Sequence, residues 1–254
     1  MTPKAPRVRL DRLLVERGLA ESRTRAEALV LARRVTVKGI ASPKPGTPVR
    51  VDVEIAVSDP EHPWVSRGGV KLAAALDHFG IDPTGRICLD VGASTGGFTD
   101  VLLSRGAKRV YAVDVGYGQL HAKLRSDPRV VLREKVNARH LSHAEVPEPV
   151  ELFVADVSFI SLTLILPAVV RLLAPSAEVV LLVKPQFESA RGEVGRGGIV
   201  RDEAVRARAV ARVVAAAEKL GLRALGTMAS PIAGADGNEE FLAAFRAADR
   251  VDSR

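Results

Sequence analysis

Cysteine is nearly absent: Cys88 stands alone among 254 residues. One thiol closes no intrachain disulfide, which excludes a disulfide-stapled secreted fold and favours a reducing compartment. Aromatic residues amount to only 4%, and none falls within residues 1–60. Stacking on single-stranded bases is therefore excluded as the main recognition mode of that segment. No apolar run approaches the ~20 residues that a membrane span needs. Met1–Arg12 is basic but lacks the apolar stretch of a signal peptide. The expectation is a soluble cytoplasmic protein. The five histidines, at positions 62, 78, 121, 140 and 143, show no metal-ligand spacing, so no metal is expected. What is present is an ordinary globular mix, 47% hydrophobic and 26% charged. At roughly 150 residues per domain, the length suits one large domain or two smaller ones.

The net charge of +7 is unevenly spread. Residues 1–57 hold 12 Lys and Arg against 6 Asp and Glu, whereas the remainder holds 25 against 24. That front-loaded excess fits an electrostatic footprint for a polyphosphate beside a near-neutral domain. On charge alone a solvated basic face explains it equally well.

The hydrophobic pattern divides the chain near residue 60. Leu10, Leu13 and Leu14 share one helical face, with Gly18 as a stop. Ala26, Leu29 and Val30 recur at helical spacing, Val35–Val37 reads as a short strand, and Val51 to Val57 alternate as one half-buried strand. A Pro-containing stretch then precedes Trp64, an anchor for packing that can also set an interdomain angle. The organisation expected is a small unit over 1–60, a linker over 61–65 and a larger domain over 66–254. In the larger domain, nearly continuous apolar strands alternate with helices. Strands are expected at Ile87–Val91, Val110–Asp114, Val130–Arg133, Leu152–Asp156, Val179–Val183 and Ala224–Ala229. Helices are expected at Ser66–Phe79, Phe98–Arg105, Gln119–Ser126, Leu162–Leu173 and Asp202–Leu220, with Glu239–Phe245 ambiguous. This pattern signals an α/β fold with a parallel sheet covered on both faces.

At one strand-to-helix junction stands Leu89-Asp90-Val91-Gly92-Ala93-Ser94-Thr95-Gly96-Gly97-Phe98. Glycines there let the backbone turn sharply and approach a ligand. The Gly-x-x-x-Gly-Gly spacing is neither a dinucleotide fingerprint nor a P-loop, and no lysine follows to grip phosphates. Asp114 ends the next strand, where a carboxylate accepts from both ribose hydroxyls. The acidic set Asp90, Asp114 and Asp156 suits a sulfonium cation better than a pyrophosphate, which points to S-adenosylmethionine rather than NAD. A ligand-free tight turn is the plain alternative.

Five separated segments now carry a resemblance. They are Trp64-Val65-Ser66-Arg67-Gly68-Gly69-Val70-Lys71-Leu72, the Gly92–Phe98 loop, Ala155-Asp156-Val157-Ser158-Phe159-Ile160-Ser161-Leu162, Leu182-Val183-Lys184-Pro185-Gln186-Phe187-Glu188 and Gly237-Asn238-Glu239-Glu240-Phe241. Together they resemble the TlyA family of ribosomal RNA 2′-O-methyltransferases over almost the whole chain. The N-terminal unit resembles the alpha-L RNA-binding domain, a small α+β fold. The resemblance implies a FtsJ-like, Rossmann-like class I methyltransferase sheet, S-adenosyl-L-methionine as cofactor, and ribosomal RNA or ribosomal subunits as partner. It implies a Lys-Asp-Lys-Glu tetrad at Lys71, Asp156, Lys184 and Glu240, and a cytidine as target. Cofactor contacts are expected from Gly92, Ala93, Ser94, Gly96, Gly97, Phe98 and Asp114. Asn137 stands where the family and fold place an adenine contact, and Phe159 is suited to stack on the adenine or the target base.

The tetrad also makes chemical sense. A ribose hydroxyl is a very weak acid, and its methylation needs a base beside the oxygen and an aligned donor. Two lysines close together would depress each other's affinity for a proton, while the carboxylates position them. Lys184, directly after a buried strand, is expected to steer or remove the proton, and Lys71 to orient the ribose or a phosphate. Glu240 competes with the adjacent Glu239 for its place. RNA contacts are expected from Arg7, Arg9, Arg23, Arg25, Arg33, Arg34 and Lys38, through backbone and shape. The glycine-rich stretch 192–198, with Arg191 and Arg196, is expected to be a mobile loop that orders over RNA or cofactor. Two rivals remain: a haemolysin-like cytolytic protein, since members of the family carry that description, and a non-catalytic RNA-binding assembly factor. The missing membrane span weighs against the first and the intact tetrad against the second.

Overall fold

The computed structural model describes residues 6–31, 34–58, 62–234 and 237–249. The chain divides into two compact units, Met1–Pro63 and Trp64–Arg254.

In the first unit, strand β1 (Arg7–Arg9) leads into helix α1 (Leu10–Glu16), followed by α2 (Arg23–Leu31), β2 (Val35–Val37), β3 (Pro48–Arg50) and β4 (Ile55–Val57). Leu10, Leu13 and Leu14 of α1 and Ala26, Leu29 and Val30 of α2 bury their shared face with Val35, Val37 and Val49. The single strand expected over residues 51–57 shortens to β4, because Val51 and Asp52 turn the chain after β3. β3 pairs antiparallel with β1, and β4 with β2. The chain has to turn at Val51-Asp52 to change partners.

The second unit opens with α3 (Gly68–Phe79), whose residues Leu72, Ala75 and Leu76 recur at i, i+3 and i+4 and are buried. Gly80, at φ 65°, ends it by donating its N–H to Leu76 O. Then follow β5 (Ile87–Val91), α4 (Gly97–Ser104), β6 (Arg109–Val113), α5 (Ala122–Arg125), β7 (Val130–Arg133), β8 (Val150–Ala155), α6 (Leu166–Val169), β9 (Leu173–Val183), α7 (Pro185–Glu188), α8 (Glu203–Lys219), β10 (Leu222–Ala229) and β11 (Phe241–Ala247). One seven-stranded sheet runs β10-β11-β9-β8-β5-β6-β7. It is parallel except for β11, which lies antiparallel to β9 and β10. Both faces are covered, and the side chains alternate accordingly. Phe153, Val179 and Leu181 join the core that holds Val213 and Ala217 of α8; Leu152, Val154, Val180 and Leu182 join the core that holds Leu72 and Leu102. Truncating a buried phenylalanine such as Phe153 to alanine costs about 3–5 kcal/mol. Strand order reverses between β5 and β8, so a ligand crevice opens beyond their carboxyl ends.

Several expectations are corrected here. Trp64 and Val65, placed in the linker by the sequence pattern, pack on the second unit. A Cβ on Gly69 would stand 2.4 Å from Trp64 Cβ, and Val65 N donates to Asp100 Oδ2 at 2.9 Å. The helix expected over Leu162–Leu173 is broken into two 3-10 turns around α6, because Pro167 in its first turn has no N–H to continue an earlier turn. β9 begins at Leu173, with a bulge before Glu178 that shifts its register against β8. The helix expected over Gln119–Ser126 shrinks to α5, capped by His121 Nδ1 accepting from Lys123 N. The ambiguous segment at 239–245 is strand, not helix, because β11 fills the gap between β9 and β10. Segment 192–198 contains parts of two 3-10 turns, Arg191–Glu193 and Arg196–Gly198, and Gly198 O accepts from Asn238. The side chains of Arg191 and Arg196 lie outside the described residues. Among the described residues no helix is long and apolar enough to cross a membrane.

Candidate functional site

A cavity of about 920 Å³ opens at the carboxyl ends of β5, β6 and β8. Its floor is the glycine turn after β5. Gly92 adopts φ +82°, and a Cβ there would meet the Asp156 carbonyl oxygen at 2.3 Å. Only glycine lets β5 and β8 exits approach so closely. The next residues bind the turn to β6: Gly92 N donates to Val113 O at 2.9 Å and Ser94 N to Asp114 Oδ2 at 2.8 Å. Asp114 Oδ1 accepts from Gly116 N at 2.6 Å, so both oxygens are oriented by backbone and each keeps a lone pair for a ligand hydroxyl.

Of the expected cofactor residues, Gly92, Ser94, Asp114, Asn137 and Phe159 line this cavity. Asn137 Oδ1 also accepts from Arg139 N at 3.1 Å. Ala93, Gly96, Gly97 and Phe98 do not line it. Gly96 packs on Leu124, Gly97 on Ser66, and Phe98 is a buried core residue, so these four build the turn. Apolar walls come from Ile160, Leu164 and Ile165, and acidic groups from Asp114 and Asp156. The volume, the cradle over Gly92 and the carboxylates fit a nucleoside bearing a positively charged sulfonium.

Beneath the turn, Asp90 is buried and accepts from Thr99 Oγ1 at 2.6 Å. Burial pushes its carboxyl up to about 7, reinforced by the charges of Asp156 and Asp114. An unfolded aspartate titrates near ~3.9, so the folded state holds the Asp90 proton more tightly. The contribution of this group to stability is full below about 4 and falls as pH rises toward 7. Asp90→Asn should therefore gain stability relative to wild type across that window, read by urea denaturation at a series of pH values. A difference that does not change with pH would refute the assignment.

Beside the cavity, the tetrad forms two ion pairs. Lys71 Nζ donates to Glu240 Oε2 at 2.5 Å, and Lys184 Nζ stands 2.5 Å from Asp156 Oδ1. Lys184 Nζ also donates to Ser158 Oγ at 2.9 Å. Topology explains the meeting. Asp156 leaves β8 and Lys184 leaves β9, and Phe241 of β11 pairs with Val183. Continuing that antiparallel ladder by one residue sets Glu240 beside Lys184. Lys71 reaches the same place from α3, where a Cβ on Gly68 would lie 3.7 Å from Asp156 Oδ2. Each ammonium closes on a carboxylate, and Lys71 is buried at 7% exposure. Glu240, not Glu239, is the inward carboxylate; Glu239 is exposed and pairs with Arg206.

Phe159 is 92% exposed at the cavity rim, held at φ +64°, a strained value for a non-glycine residue. Its ring lies 5.1 Å from that of Phe187, another lining residue. The sequence pattern missed four residues: Ser158, Phe187, Asn238 and Glu188. Asn238 holds the 198–200 segment through Val200 N and Gly198 O, two residues before Glu240. Glu188, its carboxyl raised by burial, accepts from Ser161 Oγ and Leu162 N, bracing the rim. All four sit inside the motifs that held the tetrad; hydrogen bonds single out Ser158, Asn238 and Glu188, and the ring contact with Phe159 singles out Phe187.

In the first unit, Arg7 is exposed, while Arg9 and Arg23 both bond the buried Asp11. Arg34 donates to Ser58 O, and Lys38 pairs with Glu54 while its side chain stays exposed. Arg33 and the Arg25 side chain lie outside the described residues.

Residues 64–247 match the FtsJ-like methyltransferase family, and residues 8–55 match the S4 domain. The chain is 51% identical over 238 residues to a Mycobacterium tuberculosis protein named 16S/23S rRNA (cytidine-2′-O)-methyltransferase TlyA, covering 93% of this chain and 89% of the relative. It is 42% identical to Hemolysin A of Brachyspira hyodysenteriae, covering 94% of this chain and 99% of that one. A solved structure from Streptococcus thermophilus, described as a hemolysin, superposes with a TM-score of 0.75 at 42% identity, over 96% of this chain and 90% of its own.

Proposed function

The chain belongs to the TlyA family of FtsJ-like ribosomal RNA methyltransferases, and from that premise we propose how it works: it transfers a methyl group from S-adenosylmethionine to a ribose 2′-hydroxyl of ribosomal RNA, with cytidine as the target nucleoside. The observation that carries this reading is the pair of ion pairs, Lys184–Asp156 and Lys71–Glu240, on neighbouring strand ends beside a nucleoside-sized cavity.

When bound, S-adenosylmethionine supplies an electrophilic methyl group. Gly92, Ser94, Asp114 and Asn137 would hold its nucleoside part. The chain's own residues then handle the hydroxyl. Lys184 meets the cavity through Asp156 and Ser158, its two partners, both of which line it. Its Nζ steers the 2′-hydroxyl and, as the neutral amine left once its own proton has gone to solvent, accepts the hydroxyl proton while the oxygen–carbon bond forms and the sulfonium–methyl bond would break. Asp156 and Ser158 aim that nitrogen, and Lys71–Glu240 braces the strand end behind it. Phe159 and Phe187 offer a stacking platform for the target base. Most of the acceleration comes from holding the hydroxyl in line with the methyl group.

The first unit grips the RNA through Arg7, Arg9, Arg23, Arg25, Arg33, Arg34 and Lys38, reading backbone and shape, with no aromatic platform of its own. The protein works in the cytoplasm, on ribosomal subunits. Incubating subunits with the chain and methyl-labelled S-adenosylmethionine, then mapping the label by nuclease digestion, tests this reading. Label on a ribose oxygen is expected; label on a base, or none, would overturn it.

A further inference from the structure

The first unit contains a buried charge that the methyl-transfer reading does not use. Asp11, in the first turn of α1, is wholly buried, yet its partners Arg9 and Arg23 are exposed. Its Oδ1 accepts from Arg12 N at 2.8 Å and Arg9 Nε at 3.1 Å; its Oδ2 accepts from Arg9 Nη2 at 2.7 Å and Arg23 Nε at 3.1 Å. These bonds hold its carboxyl far below the usual range. The arginines come from different elements, β1 and α2, and their side chains stay 52% and 61% exposed. Arg9 also lies against the turn before β3, where a Cβ on Gly46 would stand 3.2 Å from Nη1. That turn is fastened to α1 by Leu10 N on Thr47 O and Asp11 N on Pro45 O, both at 2.9 Å.

We propose that Asp11 is a positioning residue for RNA binding, its buried carboxylate locking Arg9 and Arg23 into one fixed pair that receives a backbone phosphate. This rests on the reading that the first unit grips ribosomal RNA. A free arginine surrenders about 2 kcal/mol of side-chain entropy when it is fixed on a phosphate. Here that freedom is already gone, and outward N–H groups of two guanidinium forks meet an anion in the charge-assisted geometry such forks favour. The opposite view is that Asp11 merely neutralises two cations. The two views predict opposite signs, because Asp11→Asn adds one positive charge.

The test uses the full chain and ribosomal subunits, with binding measured across a salt series. Asp11→Asn is expected to bind about tenfold more weakly despite its extra charge, with the slope of log K against log salt shallower by about 0.9 for each phosphate no longer neutralised. In an Arg9→Ala/Arg23→Ala background, itself weakened, Asp11→Asn should add no further loss. The Michaelis constant for subunits should rise while kcat stays unchanged. Arg9→Lys/Arg23→Lys keeps both charges and a partner for the carboxylate, and it should also weaken binding; it decides the matter if Asp11→Asn fails to fold. Tighter or unchanged binding by Asp11→Asn, or wild-type affinity in the lysine variant, overturns the positioning role alone. Wild-type affinity in Arg9→Ala/Arg23→Ala overturns it together with the reading that these arginines touch RNA.

Discussion

Lys184→Ala lowers single-turnover methyl transfer by about a hundred- to ten-thousandfold, the range lost when a positioned proton-handling group is removed. Binding of S-adenosylmethionine should survive, because Lys184 is not among the residues lining the cavity and Asp114, Ser94 and Gly92 remain. Lys184→Arg sharpens the result. Arginine keeps the charge but does not give up its proton in proteins. If Lys184 removes the hydroxyl proton, the arginine variant is as inactive as the alanine one. If Lys184 only steers by charge, arginine restores a substantial share of the rate. Transfer by Lys184→Ala at the wild-type rate would refute any role for the residue in the chemistry. Rapid-quench measurement on ribosomal subunits with labelled cofactor separates the chemical step from RNA binding.

The second large effect is expected at Glu240. Its side chain is 3% exposed, and that of Lys71 is 9% exposed. Glu240→Ala leaves the Lys71 ammonium buried without its carboxylate, which costs about 3–5 kcal/mol. Urea denaturation of the methyltransferase unit should show the loss as an earlier midpoint with an unchanged slope. Replacing both partners by methionine removes the unpaired charge, so Lys71→Met/Glu240→Met should regain most of that stability. It should not regain activity, because Glu240 also flanks Lys184 on the neighbouring strand. Recovery of both stability and methyl transfer in the double variant would show the pair to be structural only. Equal stability of Glu240→Ala and wild type would contradict the buried pairing itself.

Much of this architecture is legible in linear patterning. The apolar run at Ile87–Val91 appears as a strand with the same bounds, because a central parallel strand buried on both faces shows little polar alternation to blur it. The helix ending at Phe79 is marked by its apolar spacing and by Gly80. Where the reading slips, a non-local contact outweighs local propensity. Residues 162–173 are mostly apolar, yet Pro167 and the need to cover the sheet break them into separate turns. Residues 51–57 alternate well enough for one strand, but β3 ends at Arg50 on β1, and only Ile55–Val57, after a turn, reaches β2 as β4.

The same division runs through the site. Local chain chemistry sufficed for the glycine turn, the basic first unit and the acidic strand end at Asp114, while the tetrad rested on the resemblance of five separated motifs. It did not reveal that Lys71 takes Glu240 across 169 residues of chain while Lys184 takes Asp156, nor that Arg9 and Arg23 share Asp11. Partner choice among charges depends on which strand ends lie side by side and which oxygens lose their water, and both are settled only when the sheet closes and buries them.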